Sequence, residues 1–260
     1  MPILNLPIEE YRTLPEPSCS MVARACDPNT TWATLFAPTE PTPSMKLGTV
    51  THGYILEGIM PHVYEFDGRV KAGREERERF PDAVKPEERD AIIRMNENIH
   101  LTPHRIPHLD SLTIGEVILK MRELGDVEVQ ATASLDGRAF RGMADGVFTD
   151  SEGNAHIIEL KTSSDASHRH FSRDAMKRFY HVQAWGYMAL FGAITHTTIV
   201  VSKSDPLGAG CAIYTMPKQA LQEAETLFRQ SLEAVYVMRD YEGYKGYPEP
   251  CELSYYPASL

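Results

Sequence analysis

Between residues 127 and 163 the chain changes period. VEVQATASL, AFRGMADGVFTD and AHIIELKTS alternate apolar and polar positions, and DGR and SEGN separate them. Period-two segments joined by Gly-containing turns predict three strands in an antiparallel meander. Upstream, the apolar spacing is helical. SCSMVARAC predicts a short helix capped by Ser18 or Ser20. A second helix is expected near 44–58, capped by Ser44, with Leu47, Val50, Tyr54, Ile55 and Ile59 recurring along it. A third covers 86–100 with Ile92, Ile93 and Met95 inward, and a fourth covers about 111–124. Between the second and third, an Asp67–Gly68 turn leads into RVKAGREERER (69–79), which reads as a mixed, mobile charged segment. After the meander the pattern predicts one long helix over 168–192. A buried strand in ITHTTIVVSKS, its hairpin partner in AIYTMPK, and a last helix from Met216 to Tyr241 follow. That final helix carries Leu221, Ala224, Leu227, Leu232 and Val235 as one apolar stripe. Helices, three strands, a helix, strands and a helix give an α/β (α+β) class with a central mixed β-sheet flanked by helices. A single domain over 1–260 is expected. It comprises a largely irregular, partly helical extension (1–44), a core (45–240) and a tail (241–260).

Composition narrows the class without choosing a function. With 260 residues, 42% of them hydrophobic, the chain can build a substantial core. No apolar run approaches the ~18 residues that cross a membrane. MPILNLPIEEYRTL lacks the basic-then-apolar order of a secretory signal. Cys19, Cys26, Cys211 and Cys251 are dispersed and form no CxxC, which argues against a disulfide scaffold or zinc ribbon and for a reducing, cytoplasmic setting. A net charge of −10 argues against a surface that coats nucleic acid throughout. It leaves room for a local basic groove, because bound cations can supply positive charge at one point.

The chemistry begins in the third strand of the meander, at Ile-Glu-Leu-Lys (158–161). Residues two apart on a strand share a face, so Glu159 and Lys161 point one way and Ile158 and Leu160 the other. An ordinary ion pair on a solvent-facing edge satisfies this pattern, and so does a metal ligand with a companion cation. Asp145 lies fourteen residues earlier, and a turn at 150–154 brings it across from Glu159. Paired carboxylates bind hard divalent cations. Such cations polarise phosphodiesters and activate water, and a nearby ammonium offsets developing charge. Gln183 and Tyr187 are four apart and share a helical face. His52 follows Gly48 by one turn, and Glu128 opens the first strand of the meander. Each of these also suits a packed or solvated position. Arg169, Arg173 and Lys177 recur every four residues, with Arg178 adjacent. They form a solvated helix face or a track for a phosphate backbone. No base-reading motif accompanies them.

Taken in order, Gly48-x-x-x-His52, Gly142-x-x-Asp145, Glu159-x-Lys161 and Gln183-x-x-x-Tyr187 resemble the four-part signature of RecB-like nucleases of the PD-(D/E)xK superfamily, over about 140 residues. YRTLPEPSCSMVARA, MKLGTVTHGYILEG, FRGMADGVFTDSEGNAHIIELKTSSDAS and FYHVQAWGYM resemble the phage and prophage RecE-type exonucleases (exodeoxyribonuclease VIII) within that group. The resemblance implies a restriction-endonuclease-like core. It implies that Asp145, Glu159 and the backbone carbonyl of Leu160 hold Mg²⁺ or Mn²⁺, as one ion or two. His52 then stands near a second ion or the scissile phosphate, and Glu128 is a further acidic ligand. Lys161 positions the attacking water or stabilises charge, while Gln183 and Tyr187 orient DNA or the active-site loop. The implied activity is Mg²⁺-dependent exonuclease action on linear double-stranded DNA from 5′ ends, leaving a 3′ strand for a RecT-like annealing protein. A ring-shaped trimer or tetramer in the cytoplasm of a bacterial or phage-infected cell, with no membrane partner, completes the expectation. Some relatives carry a large domain ahead of the nuclease, and none is expected here. Two alternatives are a Cas4-like or helicase-associated nuclease and a non-catalytic DNA-binding protein that keeps the fold. The first often holds an iron–sulfur cluster on clustered cysteines, and the dispersed cysteines here predict no cluster.

Overall fold

The computed structural model describes residues 3–27, 29–30, 35–36, 40–206 and 210–240, so the expected tail 241–260 lies outside the described residues. In chain order the elements are β1 (Ile3–Leu4), α1 (Ile8–Thr13), α2 (Cys19–Arg24), α3 (Pro43–His52), a π-helical turn (Gly53–Glu57), α4 (Lys71–Arg79) and α5 (Pro86–Leu101). Next come β2 (Arg105–Ile106), β3 (Leu112–Thr113), α6 (Ile114–Leu124), β4 (Val127–Leu135), β5 (Arg138–Thr149) and β6 (Ala155–Ser163). Then follow α7 (His168–Lys177), α8 (Tyr180–Phe191), β7 (Thr195–Ser202), β8 (Cys211–Thr215) and α9 (Lys218–Asp240). The meander β4–β5–β6 forms the middle of a six-stranded sheet ordered β1-β4-β5-β6-β7-β8. The β6–β7 pair is parallel and the others are antiparallel, so the sheet is mixed, as the pattern predicts.

Two apolar layers sandwich this sheet. Ile158 and Leu160 join Ile55, Ile92, Ile99, Ile118 and Phe148 on one face, covered by α3, α5 and α6. Ile157 joins Val22, Phe140, Val182, Leu190 and Phe228 on the other, covered by α2, α8 and α9. Residues 156–160 of β6 are all buried, which excludes the solvent-facing edge reading of Glu159 and Lys161. Both share the Ile157 face and sit beneath α2 and α8. Cys19 belongs to the second layer and Cys211 packs against the first, so these two thiols lie on opposite faces.

Several elements depart from the sequence reading. The helix expected over 168–192 is two helices, because Phe179 adopts a left-handed conformation (φ 55°, ψ 37°) between them. Apolar periodicity carries no signal for one such residue. The second helix starts at Pro43 and is capped by Thr42 instead of Ser44. The Thr42 hydroxyl accepts from the Met45 amide, and Pro43 fills the first turn where its missing N–H costs nothing. The extension 1–44 contributes an edge strand and two short helices, and Ser18 caps α2 by accepting from the Met21 amide. Segment 69–79 is helical from Lys71, with the Glu76 carboxylate accepting the Glu65 and Phe66 amides. The helix expected from 111 begins at Ile114, behind a Thr113–Glu116 capping box.

Helix α8 seats directly on β5 because Gly142 has no side chain. A Cβ there would lie 2.6 Å from Leu190 Cδ2 and 2.9 Å from the Tyr187 ring. We predict that Gly142→Ala overpacks this contact and costs about 1–3 kcal/mol. In urea unfolding the midpoint should fall at constant slope. An unchanged midpoint would mean that α8 does not rest on β5 this closely.

Candidate active site

The site forms where the sheet loses its regularity. On β4 and β5, Val127 pairs with Gly146 and Val129 with Ala144, which sets Glu128 opposite Asp145 between them. Glu128 has φ 50°, a left-handed value that is uncommon for a residue with a Cβ. The alternation of faces reverses there. Val127 packs on the first layer, yet Val129 packs on the second. The same reversal occurs across Asp145. Ala144 lies in the second layer, whereas a Cβ on Gly146 would meet Met121 of the first. The β5–β6 ladder runs from Thr149–Ala155 to Gly146–Ile158 and then stops. One residue further, the Asp145 carboxylate accepts the Leu160 amide at 2.7 Å, taking the place of a strand carbonyl.

More side chains gather around this opening. His52, at the end of α3, brings Nδ1 to 3.5 Å from Asp145 Oδ1. Ligand atoms of His52, Glu128 and Asp145 all lie within 4.8 Å of one another. Glu159 Oε1 pairs with Lys161 Nζ at 2.5 Å, and Glu159 Oε2 is buried without a partner. The Lys161 side chain is one-fifth exposed, and its ammonium stands 5.1 Å from the centre of the Tyr180 ring. On α8, Gln183 Nε2 donates to Tyr187 Oη at 3.1 Å, so the expected pair is formed. The π-helical turn begins immediately after His52, an irregularity often found at functional sites.

The charges in this cluster are unbalanced. Burial, reinforced by the neighbouring Asp145 carboxylate, pushes Glu159 up to about 7 and Glu128 up to about 8. Burial also opposes ionisation of Asp145, but His52, Lys161 and the Leu160 amide outweigh it and hold that carboxyl below its ordinary range. His52 is raised for the reciprocal reason: burial disfavours its proton and Asp145 more than compensates. Burial, aided by Lys161, keeps His196 neutral at about 3. The buried Cys19 thiol and the Tyr187 hydroxyl are both pushed up by burial and then by Glu159. The Glu128 and Asp145 carboxylates, the neighbouring His52 imidazole and the orphaned Glu159 oxygen form a donor set suited to a hard divalent cation.

Beside the cluster opens a cleft of about 530 Å³, with Lys161, Tyr180 and Gln183 among its lining residues. Its other cations are Arg24, Lys177 and Arg178, the last paired with Asp174 at 3.0 Å. Two of the four basic residues expected to track a phosphate backbone therefore line the cleft. Arg169 and Arg173 are exposed on α7 outside its lining. Arg24 and Cys19 escaped the sequence reading. Both lie on α2, more than 120 residues from Asp145, and the packing of α2 against α8, α9 and β5 brings them here.

The family model of the PDDEXK-like domain of unknown function (DUF3799) matches residues 21–256. The chain belongs to this family. The PD-(D/E)xK resemblance carried by the four ordered motifs thus holds, and so does the fold expected with it. No curated protein sequence matches the chain significantly. Among solved structures, a candidate exonuclease from Eubacterium rectale shares the fold with a TM-score of 0.59 at 14% identity, covering 98% of this chain and 97% of that one. A phage-related exonuclease from Haemophilus somnus reaches 0.37 at 11% identity, covering 89% and 99%. An alkaline exonuclease from Laribacter hongkongensis reaches 0.29 at 17% identity, covering 54% and 69%. Among the described residues no helix is long and apolar enough to cross a membrane.

The raised glutamates of this PDDEXK-like site set a sign for pH dependence. Both bind protons more tightly in the folded state, so stability falls as pH rises from the ordinary glutamate value of 4.5 towards 7 and 8. The raised His52 acts in the same direction above its ordinary 6.5. Asp145, being lowered, has delivered its contribution below this window. We predict that the metal-free melting temperature declines between about pH 5 and pH 8. Added Mn²⁺ should raise it more at pH 8 than at pH 5.5, because binding requires the carboxylates ionised. A Mn²⁺ effect independent of pH would contradict this account of the cluster.

Proposed function

We propose that the protein is a metal-dependent exodeoxyribonuclease. The observation that carries this reading is the convergence of His52, Glu128 and Asp145 at the break in the β5–β6 ladder, with the buried Glu159–Lys161 pair on the neighbouring strand. Asp145, Glu159 and the Leu160 carbonyl, with His52 and Glu128, would hold one or two Mg²⁺ or Mn²⁺ ions. A bound ion of that kind supplies Lewis-acid polarisation of the scissile phosphate and a more acidic attacking water. Glu159 divides its two oxygens, one on Lys161 and one free for the cation. Lys161 offsets the charge that develops on the phosphoryl oxygens. Gln183 and Tyr187 orient the strand against the opening. Arg24, Lys177 and Arg178 hold its phosphates in the cleft, and Arg169 and Arg173 extend the basic track along α7.

The substrate we assign is the end of linear double-stranded DNA, degraded on one strand from the 5′ terminus. The remaining 3′ strand would pass to a single-strand annealing protein of the RecT type. A homo-oligomeric ring and a cytoplasmic setting belong to the same reading. Support comes from the ordered motifs, the family membership and the local charge. The cations gather at the cleft although the whole chain is acidic.

Linear duplex labelled at either the 5′ or the 3′ end tests activity and polarity together. With Mg²⁺ the 5′ label should be released first, and chelation should stop release. Glu159→Ala and Lys161→Ala should each lower the rate by at least about a hundredfold while the circular dichroism spectrum stays native. Wild-type protein that leaves linear duplex intact would favour a non-catalytic DNA-binding role. In chelator, Arg24→Ala combined with Lys177→Ala should weaken DNA binding and flatten its salt dependence, each lost phosphate contact removing about 0.9 from the log–log slope. An unchanged slope would place the DNA elsewhere.

A further inference from the structure

Tyr180 belongs to none of the four motifs, yet the Lys161 ammonium lies over its ring. Its ring centre lies 5.1 Å from Nζ, within the range in which a cation is attracted to an aromatic face. The ammonium thus has the Glu159 carboxylate at 2.5 Å and this ring as neighbours, and Lys161 and Tyr180 both line the cleft. The placement depends on the break between α7 and α8. Phe179 takes the left-handed conformation, and Tyr180 is the first residue of the new helix. The ring is flanked by Phe171, whose centroid is 6.1 Å away at 37°. Phe171 is buried and stacks in turn on Tyr214 at 5.1 Å, which connects it to β8. Tyr214 Oη donates to the Ala166 carbonyl at 2.6 Å, closing the connection to the segment just after β6.

A lysine carries four rotatable bonds, and a single carboxylate contact fixes its head poorly. A second contact on such a ring removes much of that freedom before substrate arrives, which is the usual requirement for an electrostatic catalyst. We propose that Tyr180 is the positioning residue for Lys161, acting through the face of its ring. The kinked α7–α8 junction serves to deliver that ring. This rests on the nuclease reading above, in which Lys161 acts at the phosphate.

The test uses full-length protein and three substitutions. Tyr180→Leu removes the π face and Tyr180→Phe keeps it. Tyr180→Met fills the space without an aromatic ring and stands in if the leucine variant unfolds. On linear duplex with Mg²⁺, Leu or Met should lower kcat about tenfold with KM within twofold, and Phe should restore kcat to within twofold of wild type. An independent readout needs no activity. In protein carrying ¹³C-labelled lysine, the Lys161 ε-methylene signal should be displaced by the ring current in wild type and in Phe, and should return to the ordinary position in Leu and Met. If the signal does not respond to loss of the ring, or if Phe is as impaired as Leu, positioning by the ring is overturned. If the signal responds but wild type leaves DNA uncut, the positioning stands and the nuclease reading fails instead.

Discussion

A single hydrogen bond, from the Leu160 amide to the Asp145 carboxylate, governs the geometry of this protein. In a continuous ladder that amide would pair with a backbone carbonyl of β5. Giving it a side chain instead lets β5 and β6 part on the Leu160 side of Gly146–Ile158. The opening is what admits His52 from α3 and Glu128 from β4 to the same point. The exchange also satisfies a buried amide, which is costly to leave unpaired, so the sheet can open without an orphaned donor. Glu128 completes the device from the other side. Its left-handed backbone reverses the facing of β4 where Asp145 reverses that of β5, and the two strands stay in register across the defect.

The fold places these charges where they are least comfortable. Two apolar layers press on the sheet, and the carboxylates sit between them instead of at an edge. Burial that stabilises the domain destabilises the anions, so Glu159 and Glu128 bind protons more tightly than they would in water. The local strain and the unpaired oxygen persist because the surrounding helices over-determine the backbone. Gly142 allows α8 to lie close enough to carry Tyr187 over the site, and Gly186 gives the Phe228 ring its place beneath that helix. The site and the core are therefore built from the same contacts. The rigid elements that hold the carboxylates apart from water are also those that hold them against one another.

Much of this was legible in the residues. The three-strand meander follows from period-two alternation and its turns, because a turn of fixed length sets the register. Carried one step past the Gly146–Ile158 pair, where the ladder itself stops, that register sets Asp145 against Glu159. The shared face of Glu159 and Lys161 follows from strand geometry, and the Gln183–Tyr187 contact follows from helical pitch. These are local rules, and each connects residues within a few tens of positions. The order of the four motifs carried the family, because it samples residues from four separate elements at once.

What sequence could not supply depends on packing over long separations or on single backbone states. The kink at Phe179 is one residue in a left-handed well, and nothing in an apolar period encodes it. The burial of β6 on both faces depends on β7 arriving in parallel on one side and on helices covering both layers. Only then does the Glu159–Lys161 pair cease to be an ordinary surface contact. Arg24 and Cys19 reach the site through the docking of α2 on α8, a contact between segments more than 150 residues apart. The chain by itself determined which carboxylates could meet. The tertiary structure decided that they meet in a largely buried, crowded place beside a basic cleft, because packed layers shield them from most of the water that would otherwise satisfy them.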